Sequence, residues 1–216
     1  MEMHALEKLI KGRRSVRSWK KQDVPDELIK KAVELAAWAP NGGNFQGWHF
    51  VAVKNPKVIK KMADAVQSVA DKVASWPEGA AWPEDMKRTQ AHSSYFRNAP
   101  LCIAVFVGKY ISVMDRVLTA RESLDEEARK ILSFRRFAPT SIQSAAAAVA
   151  TMLLVFHHMG LGAVWLAAPL IAKKQIEALL KAPADKDLVC LVAVGYPDES
   201  PQKDRKPMED VLEIIS

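Results

Sequence analysis

The sequence predicts an α+β fold, with helices covering a central sheet of about four or five strands. Two apolar runs, residues 101–107 and 188–194, lack polar alternation, as central strands buried on both faces do. Segments with apolar residues at helical spacing recur between the strand candidates. No internal repeat or low-complexity linker interrupts them, so helices packed on a sheet are expected. A chain of 216 residues, 49% hydrophobic and 26% charged, supports a single domain over residues 1–216 and excludes disorder and collagen.

Leu6, Leu9 and Ile10 keep helical spacing up to Gly12, and Arg13-Arg14-Ser15-Val16-Arg17 then interrupts it with charge. Asp26, after Pro25, starts a second helix whose stripe of Leu28, Ile29, Ala32, Val33, Leu35 and Ala36 ends before Pro40. Asn41-Gly42-Gly43-Asn44 is a tight loop, 48–53 a strand, and Lys54-Asn55-Pro56 a turn into a helix over 57–74. Pro77, Gly79 and Pro83 break any period across 75–98, which reads as an excursion or lid carrying Trp76 and Trp82. Residues 109–138 are charged and irregular, with one helix over 124–132. Thr140-Ser141 is expected to cap a long alanine-rich helix that reaches Met159, where Gly160 stops it. A short strand at 163–166, a helix at 172–180 and a polar tail at 198–206 complete the reading.

Several function classes are excluded. P-loop, nucleophile-elbow and zincin motifs are absent, and Gly160-Leu161-Gly162 has Trp165 where a dinucleotide fingerprint needs its third glycine. His157 and His158 are helix neighbours pointing about 100° apart, the wrong spacing for sharing a metal. A net charge of +6 without a nucleic-acid motif argues against nucleic acid as partner. The apolar stretch 145–156 is far shorter than the ~20 residues of a bilayer span, so no membrane is expected. Cys102 and Cys190 sit inside apolar runs, and no export signal is legible at the N-terminus; both fit a cytoplasmic protein.

Three guanidinium groups and a hydroxyl within residues 13–17 form a cradle suited to phosphate, since arginine's planar fork matches phosphate oxygens bidentately. A solvated basic turn is the alternative. Lys203, Arg205 and Lys206 would close on the same anion if the tail folds back. The glycines of Ala39-Pro40-Asn41-Gly42-Gly43-Asn44-Phe45-Gln46-Gly47-Trp48 let backbone approach a flat ligand, or simply make a turn. Gly160-Leu161-Gly162-Ala163-Val164-Trp165-Leu166-Ala167-Ala168-Pro169 has the same character.

In order and spacing these four segments resemble the nitroreductase family of flavin enzymes. The motifs are an R-R-S-x-R opening, an A-P-x-x-x-N-x-Q-x-W loop, an alanine-rich helix into G-L-G-x-x-W, and R-K-P near the end. The resemblance implies a central mixed sheet and an obligate homodimer with an exchanged C-terminal tail, holding FMN at the interface. Arg13, Ser15, Arg17 and Arg205 would then hold the phosphate and ribityl chain, with Arg14 against the flavin. Pro40, Asn41, Gly42 and Asn44 match the loop lent by the partner subunit, and Trp165, Leu166, Ala167 and Ala168 the stretch along the ring. It further implies ping-pong hydride transfer from NADH or NADPH to nitroaromatic, quinone or related small-molecule acceptors, with no protein nucleophile. Exposed apolar surface from six tryptophans and from Val211, Leu212, Ile214 and Ile215 agrees with a dimer.

The sequence also departs from the family pattern. Asn41 stands where serine is common, Gly47 replaces a frequent proline, and Ala167-Ala168 offers no hydroxyl beside flavin N5. Dehalogenases of the family place a threonine or serine there, so its absence favours two-electron transfer over dehalogenation. Nor does 75–98 carry the Glu, Tyr and Lys set of iodotyrosine-type enzymes. Reductive dehalogenation, flavin cleavage and non-catalytic FMN binding are the alternatives.

Overall fold

A computed structural model describes residues 2–215. Its four strands are β1 (Trp48–Val53), β2 (Leu101–Gly108), β3 (Gly162–Leu166) and β4 (Lys186–Gly195), in the order β1-β2-β4-β3. Every neighbouring pair is antiparallel. The parallel component of the expected mixed sheet is a single bridge between Ser15 and Ala163.

Helices cover both faces. Leu101, Ile103 and Val105 of β2 point into one layer with α2 (Asp26–Ala36) and α7 (Thr140–His158), while Cys102, Ala104 and Phe106 meet α3 (Pro56–Ala74) and α8 (Lys173–Leu180) on the other. β2 is buried throughout, as its unbroken apolar run requires. On β4 the alternation breaks: Val105 pairs with Cys190 but Phe106 with Leu188, leaving Val189 as an extra residue. This bulge turns Val189 and Cys190 to the α2/α7 face together, and Leu191 to the opposite face. Cys102 and Cys190 therefore lie on opposite faces, both free, and burial pushes each thiol up to about 12.

Local signals explain several boundaries. The Asn55 side chain accepts from Lys57 N–H at 3.0 Å and Pro56 opens α3. Gly160, at φ +76°, turns the chain out of α7. Two expectations fail. Thr140 and Ser141 do not cap α7: Pro139 holds the cap position, without a side-chain bond, and Thr140 is already helical. Residues 109–138 carry two helices, α5 (Val113–Arg121) and α6 (Glu126–Phe137), where a single shorter one is expected. α5 starts at a capping box in which Ser112 and Asp115 bond reciprocally, and Asp125 caps α6. The 75–98 excursion holds one helix, α4 (Pro83–His92), between short 3-10 turns.

Ala138 and Pro139 break the helix between α6 and α7; taken together, Glu126–His158 is long and apolar enough to cross a membrane by length and composition alone. In the fold, Ala145, Ala148, Val149, Met152 and Phe156 of α7 instead fill the core beside the sheet.

Candidate functional site

α1 (Met3–Gly12) ends against the last turn of α7, and the chain then runs extended along the edge of β3. Val16 N–H donates to Ala163 O at 3.2 Å. Gly162 permits this approach, because a Cβ there would lie within 2.8 Å of Val16 side-chain atoms. The basic turn is thereby fixed beside the strand that leads into Trp165, Leu166, Ala167 and Ala168.

Each cation has a distinct setting. Burial first, then the like charges of Arg205 and Arg14, hold the Arg13 guanidinium below its ordinary range. Arg14 bonds the Arg13 carbonyl at 3.0 Å and the Lys11 carbonyl, yet its Nε is buried without a partner. An unpaired buried donor amid like charges is what an anion would satisfy. Arg14 also lines two cavities: one of about 450 Å³ with Lys11, His157, Gly162 and Glu199, and one of about 320 Å³ with Lys203 and Arg205. The tail thus folds back on its own chain's basic turn. Beyond it, Val211, Leu212, Ile214 and Ile215 are exposed.

Arg17 donates to the Ser15 carbonyl at 3.2 Å and reaches the Tyr95 hydroxyl. The Tyr95 ring stacks on Trp19, centroids 6.4 Å apart, and burial raises its phenol pKa. Glu199 accepts from the backbone N–H groups of Arg17 and Ser18. Glu199, Tyr95 and His157 are absent from the sequence-based site. Glu199 lies 182 residues from Arg17, and no local pattern encodes such a contact.

Pro40, Asn41, Gly42 and Asn44 are placed elsewhere. Gly42 N–H donates to Ser144 Oγ at 3.2 Å and Asn41 Oδ1 accepts from Gln46 N–H at 2.9 Å. Gly43, Asn44 and Gln46 all have positive φ, a strained path held in part by the Phe45–Tyr110 contact. This loop therefore sits at the first turns of α7, whereas the arginines sit at its last turn, near His157. Ser144 and His157 are 13 residues apart, about 20 Å along the helix axis. Within one chain, Arg13, Arg14 and Arg205 thus lie by the last turn of α7 and Pro40–Asn44 by its first turns, while β3 leads away from Gly162 into Trp165–Ala168.

The family model for the nitroreductase family matches residues 10–196, and the chain belongs to that family. A curated relative, the iodotyrosine deiodinase of Hydra vulgaris, is 26% identical over 206 residues, covering 93% of this chain and 69% of its own. A BluB-like flavoprotein from Clostridium difficile 630 superposes with a TM-score of 0.85 at 28% identity, over 100% of both chains. Oxidised iodotyrosine deiodinase bound to FMN and 3-iodo-L-tyrosine superposes at 0.69 and 25% identity, over 98% of this chain and 97% of that one.

Proposed function

We propose that this chain is an FMN-dependent oxidoreductase of the deiodinase-like side of its family. It would work as a pair of copies, with reduced nicotinamide as electron donor and a small aromatic acceptor, first a halogenated phenol. The observation that carries the cofactor is the convergence of three guanidinium groups: Arg14 lines both cavities and has a buried Nε without a partner, Arg205 lines the smaller one, and Arg13 feels the charge of both. Arg13, Ser15, Arg17 and Arg205 would hold the phosphate and ribityl chain, with Arg14 beside them. Trp165, Leu166, Ala167 and Ala168 would form the wall along the ring, and Pro40, Asn41, Gly42 and Asn44 would come from the second copy. When bound, FMN supplies the electron store between donor and acceptor. The clustered cations would offset the charge of its phosphate.

The relatives support a halogenated acceptor. Curated matches 25–27% identical over nearly the whole chain are iodotyrosine deiodinases, which favours reductive dehalogenation over nitro-group reduction. That reaction consumes two electrons and a proton, breaks a carbon–halogen bond, forms a carbon–hydrogen bond and releases halide. A second reading, hydride transfer to quinones or nitroaromatics, is favoured by Ala167-Ala168, which has no hydroxyl to offer.

Absorbance of the purified protein during anaerobic addition of NADH, then NADPH, tests the donor. Halide release from 3-iodotyrosine, measured beside NAD(P)H oxidation with a quinone, tests the acceptor. Iodide release outpacing quinone turnover is expected. Quinone turnover without iodide favours the second reading, and a protein that takes up no FMN sinks both.

A further inference from the structure

His157, in the last turn of α7, faces the cavity of about 450 Å³ that Lys11, Arg14 and Glu199 also line. Gly12 makes room for the ring: a Cβ there would lie 3.0 Å from His157 Nε2. The charged and titratable groups facing the imidazole are Lys11, Arg13 and Arg14 from α1 and its exit, Glu199 from the tail, and His158 on its own helix. Glu199 is already engaged, accepting from the Arg17 and Ser18 amides. Nothing else in this cavity supplies a donor that can be gained or lost near neutral pH, because arginine and lysine keep their charge there.

We infer that His157 is a further binding residue of the anion site, which takes up a proton when the phosphate end of FMN enters and then donates to it. The inference rests on the FMN reading above. Without the anion, burial and the charges of Arg13, Arg14 and His158 hold His157 below its ordinary value, so the ring is neutral at neutral pH. A dianion beside it reverses the local field and favours the imidazolium. Binding that takes up a proton tightens as pH falls. Arginine alone would give an affinity independent of pH in this range.

The test uses the full chain freed of flavin, with FMN and riboflavin as probes, between about pH 8 and 6.5, where a phosphate monoester remains mostly dianionic. FMN affinity is expected to rise about three- to tenfold toward the lower pH, within the tenfold per unit that one proton allows. Riboflavin, which lacks the phosphate, is expected to show no change. His157→Gln is expected to flatten the FMN profile and to weaken FMN at pH 6.5, leaving riboflavin unaffected. A wild-type FMN profile as flat as riboflavin's overturns the inference whether or not the variant folds. A slope that persists in His157→Gln overturns it as well. Failure of both flavins to bind at every pH overturns the FMN reading, and the inference with it.

Discussion

Arg13 is partly buried against two other guanidinium groups, an arrangement unfavourable without an anion and useful with one. Removing either partner of the future contact should therefore cost binding and leave the fold intact. Arg13→Ala and Arg205→Ala are each expected to weaken FMN by about 1.5–3 kcal/mol, the range of a hydrogen bond to a charged group. The exposed Arg205 belongs at the lower end. Flavin content and titrated affinity of the purified variants measure this, and unchanged values in both would remove the phosphate assignment. Gly162 acts on the same turn indirectly. Gly162→Ala is expected to push Val16 off the edge of β3, since the new methyl would lie within 2.8 Å of it. Overpacking of this kind costs about 1–3 kcal/mol, so the melting temperature and flavin retention should fall together.

At the scale of elements, the α5–α6 pair carries its own small cluster of Leu118, Ala128 and Leu132 and depends on its caps. Hydrogen bonds from the Arg135 guanidinium, then from the Ser112 hydroxyl and N–H, hold the Asp115 carboxyl well below the usual carboxylate range. Its stabilising effect is therefore complete above the ordinary carboxylate pKa and lost as pH falls through the lower folded value. Asp115→Asn is expected to cost about 1–2 kcal/mol at neutral pH, mostly through the cap, because the Arg135 pair is partly solvated. Urea melts at neutral pH and near pH 2 test the sign: the gap between wild type and variant should narrow in acid. α5 was not legible in the sequence, because Ser112-x-x-Asp115 lies in a charged stretch without a clear apolar stripe. The helix it starts escapes periodicity for that reason. The runs of β2 and β4 are legible because burial on both faces leaves them unbrokenly apolar, and the stripe of α2 because burial on one face leaves a period. In the site, the arginine turn and the glycine loop were readable as local patterns. Glu199 and Tyr95 were not, since only the tertiary fold brings them to Arg17.

At the scale of the whole molecule, α7 separates the arginine turn from the Pro40–Asn44 loop by about 20 Å, the rise of 13 helical residues. If both serve one flavin, each site must combine the arginine turn of one copy with the Pro40–Asn44 loop of another, and two-fold symmetry then yields two equivalent sites. Subunit complementation tests this directly. One variant, Arg13→Ala with Arg17→Ala, removes the arginine half. Another, Gly43→Val, disrupts the loop, because Gly43 holds φ +60° and a Cβ would lie 2.7 Å from the Tyr110 hydroxyl. Each variant alone should retain little flavin. After mixing and subunit exchange, half of the dimers are hybrids, and one site in each hybrid joins a native turn to a native loop. Flavin retention should therefore recover to about a quarter of the wild-type level, the share set by a closed two-fold dimer. Light scattering should show the same dimeric mass for the hybrids as for the wild type. No recovery despite demonstrated exchange would mean that each site is built from a single chain, and the arginine turn would then need a different wall opposite Trp165.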